Sequence, residues 1–265
     1  MGTLRAVFIL CVIGLVTPFG MLAQAILLGV GSPAAKRLPV LYHRFVCWMV
    51  GVRIRVHGQL AETRPLLIVA NHCSWLDIPV LSTVTPLSFI AKREVAGWPV
   101  VGWLAKLQRT IFVDRERRSR TGEAKREIAE RLAAGDVMVL FPEGTSSDGN
   151  RVLPFRSALI GAVHDAPNDN DSPMPLLVQP LALTYVRLNG LPMGRQHRPV
   201  VAWHGDLDMG PHVWHLLSAG TIDVEIALGD PISLATTRER KAVAACAETA
   251  VRSMATALIS GQMTA

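Results

Sequence analysis

Hydrophobic and polar positions divide the chain into two unequal parts. From residue 6 to residue 35 no side chain carries a charge, with Arg5 before the run and Lys36 and Arg37 closing it. A run of this length exceeds the roughly 20 residues that a membrane span requires. Thr17-Pro18-Phe19-Gly20 interrupts it. Proline disfavours helix continuation and glycine permits a turn. The run therefore predicts one kinked span, or two short helices that dip into one leaflet and return. A cleaved signal peptide is the competing reading, with Ala23-Gln24-Ala25 as a passable cleavage site. Against it, the apolar run continues past that site through Ile26, Leu27 and Leu28. Residues 38–52 predict a further apolar helix. Its Tyr42, His43 and Trp48 either anchor at a membrane interface or pack on the domain beyond it.

From Arg53 the texture changes. Ile54 and Val56 alternate with Arg53, Arg55 and His57, the period of a half-buried strand. Short apolar runs at 66–70, 88–91, 110–113, 137–141, 176–186, 200–203 and 222–228 predict further strands. Helices are predicted from Ser74, over 99–107, over 118–134 and over 238–259. The third has Ala124, Ile128 and Leu132 on one face, Glu127 and Arg131 on the other, and Gly135 as its stop. Strands alternating with helices give an α/β fold, a mixed sheet flanked by helices, preceded by an apolar membrane-associated helical segment. The expected division is residues 1–50 for that segment and 51–265 for the catalytic domain. Residues 165–173 (DAPNDNDSP) read as an exposed loop, since they lack a complete calcium-loop pattern.

Composition narrows the function. Half of the 265 residues are hydrophobic and 18% are charged, which excludes a disordered chain. The net charge of +6 suits an anionic partner. The strongest basic cluster is Arg115, Arg117, Arg118 and Arg120 with Lys125 and Arg126. It is either a solvated helix face or a docking patch for anionic lipid or an acyl carrier protein. No nucleic-acid motif accompanies it, so nucleic acid is not an expected partner. Cys11, Cys47, Cys73 and Cys246 form no C-x-x-C pair, so neither a zinc knuckle nor a disulfide framework is indicated.

Three apolar strands run into short polar segments: Asn71-His72-Cys73-Ser74-Trp75-Leu76-Asp77, then Asp114-Arg115, then Pro142-Glu143-Gly144-Thr145-Ser146. Ligands in open α/β sheets bind beyond the carboxyl ends of strands, so the three segments are expected to share a cleft. Imidazole titrates near neutral pH, which makes His72 the candidate proton acceptor. Asp77 can hold its second nitrogen. Ser74-x-x-Asp77 is equally a helix capping box, and the two roles are compatible. A serine hydrolase is a weaker reading, because Gly144 and Gly149 are one place too far apart for G-x-S-x-G. A lipid carrier in which His72 and Asp77 are purely structural is a third.

Asn71-His72 with Asp77, followed by Phe141-Pro142-Glu143-Gly144-Thr145, resembles the 1-acylglycerol-3-phosphate acyltransferase family of glycerolipid acyltransferases. Ile111-Phe112-Val113-Asp114-Arg115 and Val178-Gln179-Pro180-Leu181 resemble two further blocks of that family, and the likeness covers about residues 53–228. The resemblance implies transfer of a fatty acyl group from a thioester to a lipid hydroxyl. His72 would be the general base and Asp77 its orienter, with no acyl-enzyme intermediate. Glu143, Gly144 and Thr145 would shape the acceptor site and Arg115 would assist an anionic head group. Acyl carrier protein or coenzyme A would bring the acyl group, and neither metal nor organic cofactor is implied. The chain would sit at a membrane bilayer with its catalytic domain on the cytoplasmic side, the side on which positive-inside bias also puts Lys36, Arg37 and Arg44. The expected acceptor is 1-acylglycerol-3-phosphate. One departure opens an alternative: Ser146 stands where the family carries an arginine associated with the acceptor phosphate. Arg151 and Arg156 are candidate replacements. The longer string F-P-E-G-T-S-S-D-G-N-R also resembles the lyso-ornithine lipid acyltransferase subgroup, whose acceptor lacks glycerol phosphate.

Overall fold

A computed structural model describes residues 2–114, 118–164, 176–234 and 239–263. The predicted exposed loop at 165–173 lies outside them, as do Arg115 and Arg117. In chain order the elements are α1 (Gly2–Gly29), α2 (Ala34–Val50), β1 (Val52–His57), β2 (Leu66–Ala70), α3 (Asp77–Ser82), β3 (Ser88–Lys92), α4 (Val101–Leu107) and β4 (Ile111–Val113). They continue as α5 (Arg118–Ala133), β5 (Val137–Leu140), α6 (Ser157–His164), β6 (Leu177–Leu188), β7 (Leu191–Pro192), α7 (Met209–Ala219), β8 (Ile222–Leu228), β9 (Ile232–Ser233) and α8 (Arg240–Ser260). Two 3₁₀ segments, Arg93–Gly97 and Arg195–Val200, lie between them.

The described strands form one sheet in the order β1-β8-β6-β2-β5-β3-β4, with β7 and β9 on β6. From β6 to β4 all neighbours are parallel, while β8 runs antiparallel to β6. The sheet is therefore mixed, as expected. Helices cover both faces. Leu66, Ile68 and Ala70 point into a core shared with α1, α2, α3 and α7, whereas Leu67 and Val69 point into one shared with α5, α6 and α8. A strand buried on both faces needs an unbroken apolar run, which is why β2 reads Leu-Leu-Ile-Val-Ala without alternation.

Several expectations are corrected. The apolar N-terminal run is one helix of 28 residues that continues through Pro18. A proline ring crowds the carbonyl four residues back, and here that residue is Gly14. Packing on α2 steadies the region, where the Thr17 hydroxyl donates to the Ile13 carbonyl and pairs with the Tyr42 hydroxyl at 2.7 Å. Nor is α1 detached from the domain. Arg5 donates to the carbonyls of Leu217 and Val50 at one end, and Gln24 donates to those of Ala35 and Leu107 at the other. Ala23-Gln24-Ala25 lies within this helix, with Gln24 buried and both alanines exposed.

On β1 the faces alternate as expected, but burial at its end does not follow them. His57 is buried against Glu225 at 3.1 Å, while Val56 is 44% exposed. Arg131 is not on the solvent face of α5. It is buried, donating to the Arg109 carbonyl and Ser88 Oγ and pairing with Asp136 at 3.0 Å. No strand forms at 200–203: Val200 ends the 3₁₀ segment Arg195–Val200, and the next three residues are a turn and irregular backbone, with the Trp203 N–H donating to the Cys73 carbonyl at 2.8 Å. Helices α6 and α7 were not anticipated.

Candidate active site

β2 and β5 are adjacent and parallel, so the segments after Ala70 and Leu140 emerge side by side. Asn71 anchors the first. Its amide accepts from the Leu183 N–H at 2.8 Å and donates to the Leu183 carbonyl at 2.9 Å, tying the end of β2 to β6. The chain then turns back. Ser74 Oγ accepts the Leu76 N–H, and the Ser74 carbonyl accepts the Asp77 N–H. That turn aims Asp77, the first residue of α3, at the loop just traversed.

Asp77 is fully buried and its carboxylate is saturated. Oδ2 accepts from the backbone of Cys73 at 2.8 Å and Ser74 at 3.0 Å, and lies 2.8 Å from His72 Nδ1. Oδ1 accepts the Tyr185 hydroxyl at 2.6 Å. The His–Asp pair read from the sequence is formed, but the capping box is only half formed: Asp77 Oδ2 accepts the Ser74 N–H, while α3 begins at Asp77 with Leu76 before it, so Asp77 is its first and not its third helical residue. His72 keeps 20% of its side chain exposed, and with Nδ1 engaged its Nε2 is the nitrogen left for chemistry. The imidazole stacks on Phe141 at 4.2 Å between centroids, and Phe141 in turn on Phe89 at 6.0 Å. Phe141, expected within the strand, has left the ladder, since β5 ends at Leu140.

Glu143 lies directly across from this loop. Its buried carboxyl accepts the His72 N–H at 3.0 Å and the Leu153 N–H at 3.2 Å. Burial pushes it up to about 8, against the opposing pull of those two N–H groups. The Gly144 N–H turns back to the Phe141 carbonyl, and the Ser147 N–H donates to the His72 carbonyl at 2.8 Å. Thr145 is exposed and Ser146 half-buried beside it. Both strand-end segments therefore brace one another through His72.

His72, Asp77, Glu143, Gly144 and Thr145 are thus gathered at one place. Arg151 and Arg156 are exposed on the segment beyond. Arg115 lies outside the described residues, and Asp114 beside it pairs with Arg93 at 3.8 Å. Sequence reading missed Tyr185 and Phe141 as partners of the pair. The available signal for Tyr185 was a lone aromatic within the mostly apolar run of β6. A half-buried imidazole on a buried carboxylate, with one ring nitrogen held and the other open, can take a proton from a substrate hydroxyl and return it.

Comparison with known proteins agrees with this geometry. A family model described as Acyltransferase matches residues 53–184. The chain is 50% identical over 227 residues to the lyso-ornithine lipid O-acyltransferase of Brucella abortus (strain 2308), covering 86% of this chain and 85% of that one. It is 44% identical over 217 residues to the protein of the same name from Rhizobium meliloti (strain 1021), covering 82% and 74%. The 1-acyl-sn-glycerol-3-phosphate acyltransferase of Neisseria gonorrhoeae is 40% identical over 111 residues, 41% of this chain and 44% of that one. In fold, the chain resembles the crystal structure of the 1-acyl-sn-glycerophosphate acyltransferase from Thermotoga maritima. The TM-score is 0.70 over 97% of this chain and 94% of that one, at 20% identity.

Proposed function

The chain belongs to the acyltransferase family, and from that premise we propose that it esterifies the hydroxyl of lyso-ornithine lipid with a fatty acyl group taken from a thioester. The observation that carries the chemistry is the 2.8 Å contact between His72 Nδ1 and Asp77. His72 Nε2 accepts the proton of the acceptor hydroxyl as its oxygen attacks the thioester carbonyl. The tetrahedral intermediate then expels the thiolate, the C–S bond breaks, and the imidazolium returns the proton to sulfur. Asp77 orients the imidazole and stabilises its charged form. Glu143 positions His72 through its backbone N–H, and Thr145 lies at the open side, where the acceptor enters. Acyl carrier protein is the proposed donor carrier, with coenzyme A as the other candidate. The chemistry calls for neither a metal nor an organic cofactor.

Two observations support the acceptor. Ser146 stands where the motif this chain resembles implies an arginine for the acceptor phosphate, and the relatives named for lyso-ornithine lipid align over most of both chains. A second reading keeps 1-acylglycerol-3-phosphate as acceptor, giving phosphatidic acid. It is favoured by relatives of that name and by the nearby cations Arg151 and Arg156. A turnover assay with both acceptors, each with an acyl carrier protein and a coenzyme A donor, decides. Turnover of 1-acylglycerol-3-phosphate alone would overturn the proposed acceptor.

The setting is a membrane surface. Leu4, Phe8, Leu15, Phe19, Leu22 and Ile26 expose one side of α1, and Leu41, Trp48 and Trp103 are exposed on the neighbouring α2 and α4. At about 1.5 Å per residue, α1 is long enough to cross a bilayer. Its two ends are nevertheless held by the domain through Arg5 and Gln24. In this proposal α1 lies along the cytoplasmic leaflet and delivers the site to lipid from one side, as interfacial helices do. α8, which is also long and apolar enough to span, buries Val243, Ala247, Val251 and Leu258 in the core.

A further inference from the structure

Asn71 and Cys73, the residues on either side of His72, also line a cavity of ≈ 220 Å³ between the 147–152 loop, β6 and the end of α8. Its polar wall is unusual. Arg198, from the 3₁₀ segment Arg195–Val200, is only 6% exposed. One of its terminal nitrogens donates to the carbonyl of Gly149, whose φ of +73° suits glycine. Its Nε has no partner, and no carboxylate pairs with it among the described residues. The Asp148 charge acts on the guanidinium without pairing with it, and a buried guanidinium with no paired anion is costly. Arg151 and Arg252 line the same cavity, and Arg252 is already matched by Glu248 at 2.7 Å.

The second orphan has the opposite polarity. Asn150 donates from Nδ2 to Asp148 Oδ2 at 3.2 Å, and its backbone N–H donates to Asp148 Oδ1 at 3.0 Å. Those two bonds fix which way the amide faces, and its Oδ1 is buried with no donor. Arg198 and Asn150 both line the cavity, so a cationic side chain and an amide, each with one buried unsatisfied atom, stand at its wall. A phosphate monoester would answer the first and leave the second. A small zwitterion answers both, its carboxylate meeting Arg198 and its ammonium meeting Asn150. An ornithine head group offers those two charges.

We infer that this cavity is the head-group subsite of the acceptor, with Arg198 holding the ornithine carboxylate and Asn150 Oδ1 its ammonium. The inference rests on the proposed acceptor and names what recognises it. Charge-assisted pairing of guanidinium and carboxylate sets the orientation of the lipid, whose hydroxyl is then presented to His72.

The test pairs a change in the protein with a change in the lipid. Wild-type enzyme is assayed with lyso-ornithine lipid and with its carboxyl methyl ester. The expected result is a Michaelis constant roughly ten- to a hundredfold higher for the ester, the scale of one lost hydrogen bond to a charged group. Arg198→Gln should raise the constant for the free acid by the same factor, leave that for the thioester donor unchanged, and no longer distinguish acid from ester. A purely structural role for Arg198 would leave that discrimination intact. Should Arg198→Gln not fold, Asn150→Ala assayed with lipid acetylated on the side-chain amine reads the other contact in the same way. Equal use of acid and ester by the wild type overturns the inference while leaving the acceptor standing. No turnover of lyso-ornithine lipid, with turnover of 1-acylglycerol-3-phosphate, overturns the acceptor and the inference together.

Discussion

The Tyr185 hydroxyl donates to Asp77 Oδ1 across 2.6 Å, between residues 108 apart in the chain. Both side chains are buried. Burial, and then the nearby Asp77 charge, push Tyr185 well above the usual tyrosine range, so it stays a donor at working pH. The carboxylate is therefore positioned by β6 as well as by its own turn. Tyr185→Phe removes that bond and leaves Oδ1 short of a strong donor. The expected cost is about 1–3 kcal/mol of stability, read by urea denaturation. Turnover should fall by roughly one decade, well within what a small misplacement of a reacting group can cost. A variant with wild-type turnover and midpoint would show that the turn alone positions Asp77.

His72→Ala should fold and lose about 10²–10⁴-fold in turnover, the usual worth of a positioned general base. Asp77→Asn should lose activity and stability together. One of its two amide positions would be a donor facing donors that the carboxylate now satisfies, the N–H groups of Cys73 and Ser74 or the Tyr185 hydroxyl. Full turnover by a folded His72→Ala protein would end the proposed mechanism.

The pH dependence of folding should carry a mark of Glu143. Its carboxyl rises from 4.5 to about 8 on burial. A pKa raised on folding contributes stability that is complete below the unfolded value and is lost as pH climbs through the folded one. Glu143→Gln cannot ionise, but its amide cannot accept both the His72 and Leu153 N–H groups, which costs about 1–3 kcal/mol. The variant should therefore melt below the wild type at about pH 5, with the gap closing towards about pH 9. Parallel melting curves across that range would contradict the raised value.

The docking of α1 predicts its topology. In protein carrying Cys11→Ser and Cys246→Ser, which removes the two exposed native thiols, cysteines introduced as Thr3→Cys and Arg37→Cys flank the helix at exposed positions. Both should react with a membrane-impermeant maleimide from the cytoplasmic side of vesicles. Labelling from opposite sides would mean that α1 crosses the bilayer and that Arg5 and Gln24 release the domain.

Much of this protein is written locally. The unbroken apolar run of β2, the Ala124-Ile128-Leu132 stripe of α5 and the strand-end motifs around His72 and Glu143 each come from residues close in sequence. A strand buried on both faces must be apolar throughout, and a loop carrying reactive polar groups must come after a strand end. The pairing of His72 with Asp77 was legible for the same reason, because one turn of chain closes it.

What the sequence could not fix depends on which elements lie against each other. Pro18 argues for a break only until α2 packs beside it. Arg131 reads as a solvated partner of Glu127 until Asp136, Ser88 and the Arg109 carbonyl surround it. His57 is buried on its own face of β1 because Glu225 on β8 pairs with it, while Val56 on the other face is exposed. The partners of Tyr185 and Arg198 come from distant parts of the chain, and although Asn150 is held by nearby Asp148, its unsatisfied Oδ1 shows only in the fold. Local pattern determines which residues are apolar, which turn and which can do chemistry. Only the tertiary fold decides which buried polar groups are satisfied, because hydrogen bonding over a few ångströms depends on position in space rather than order along the chain.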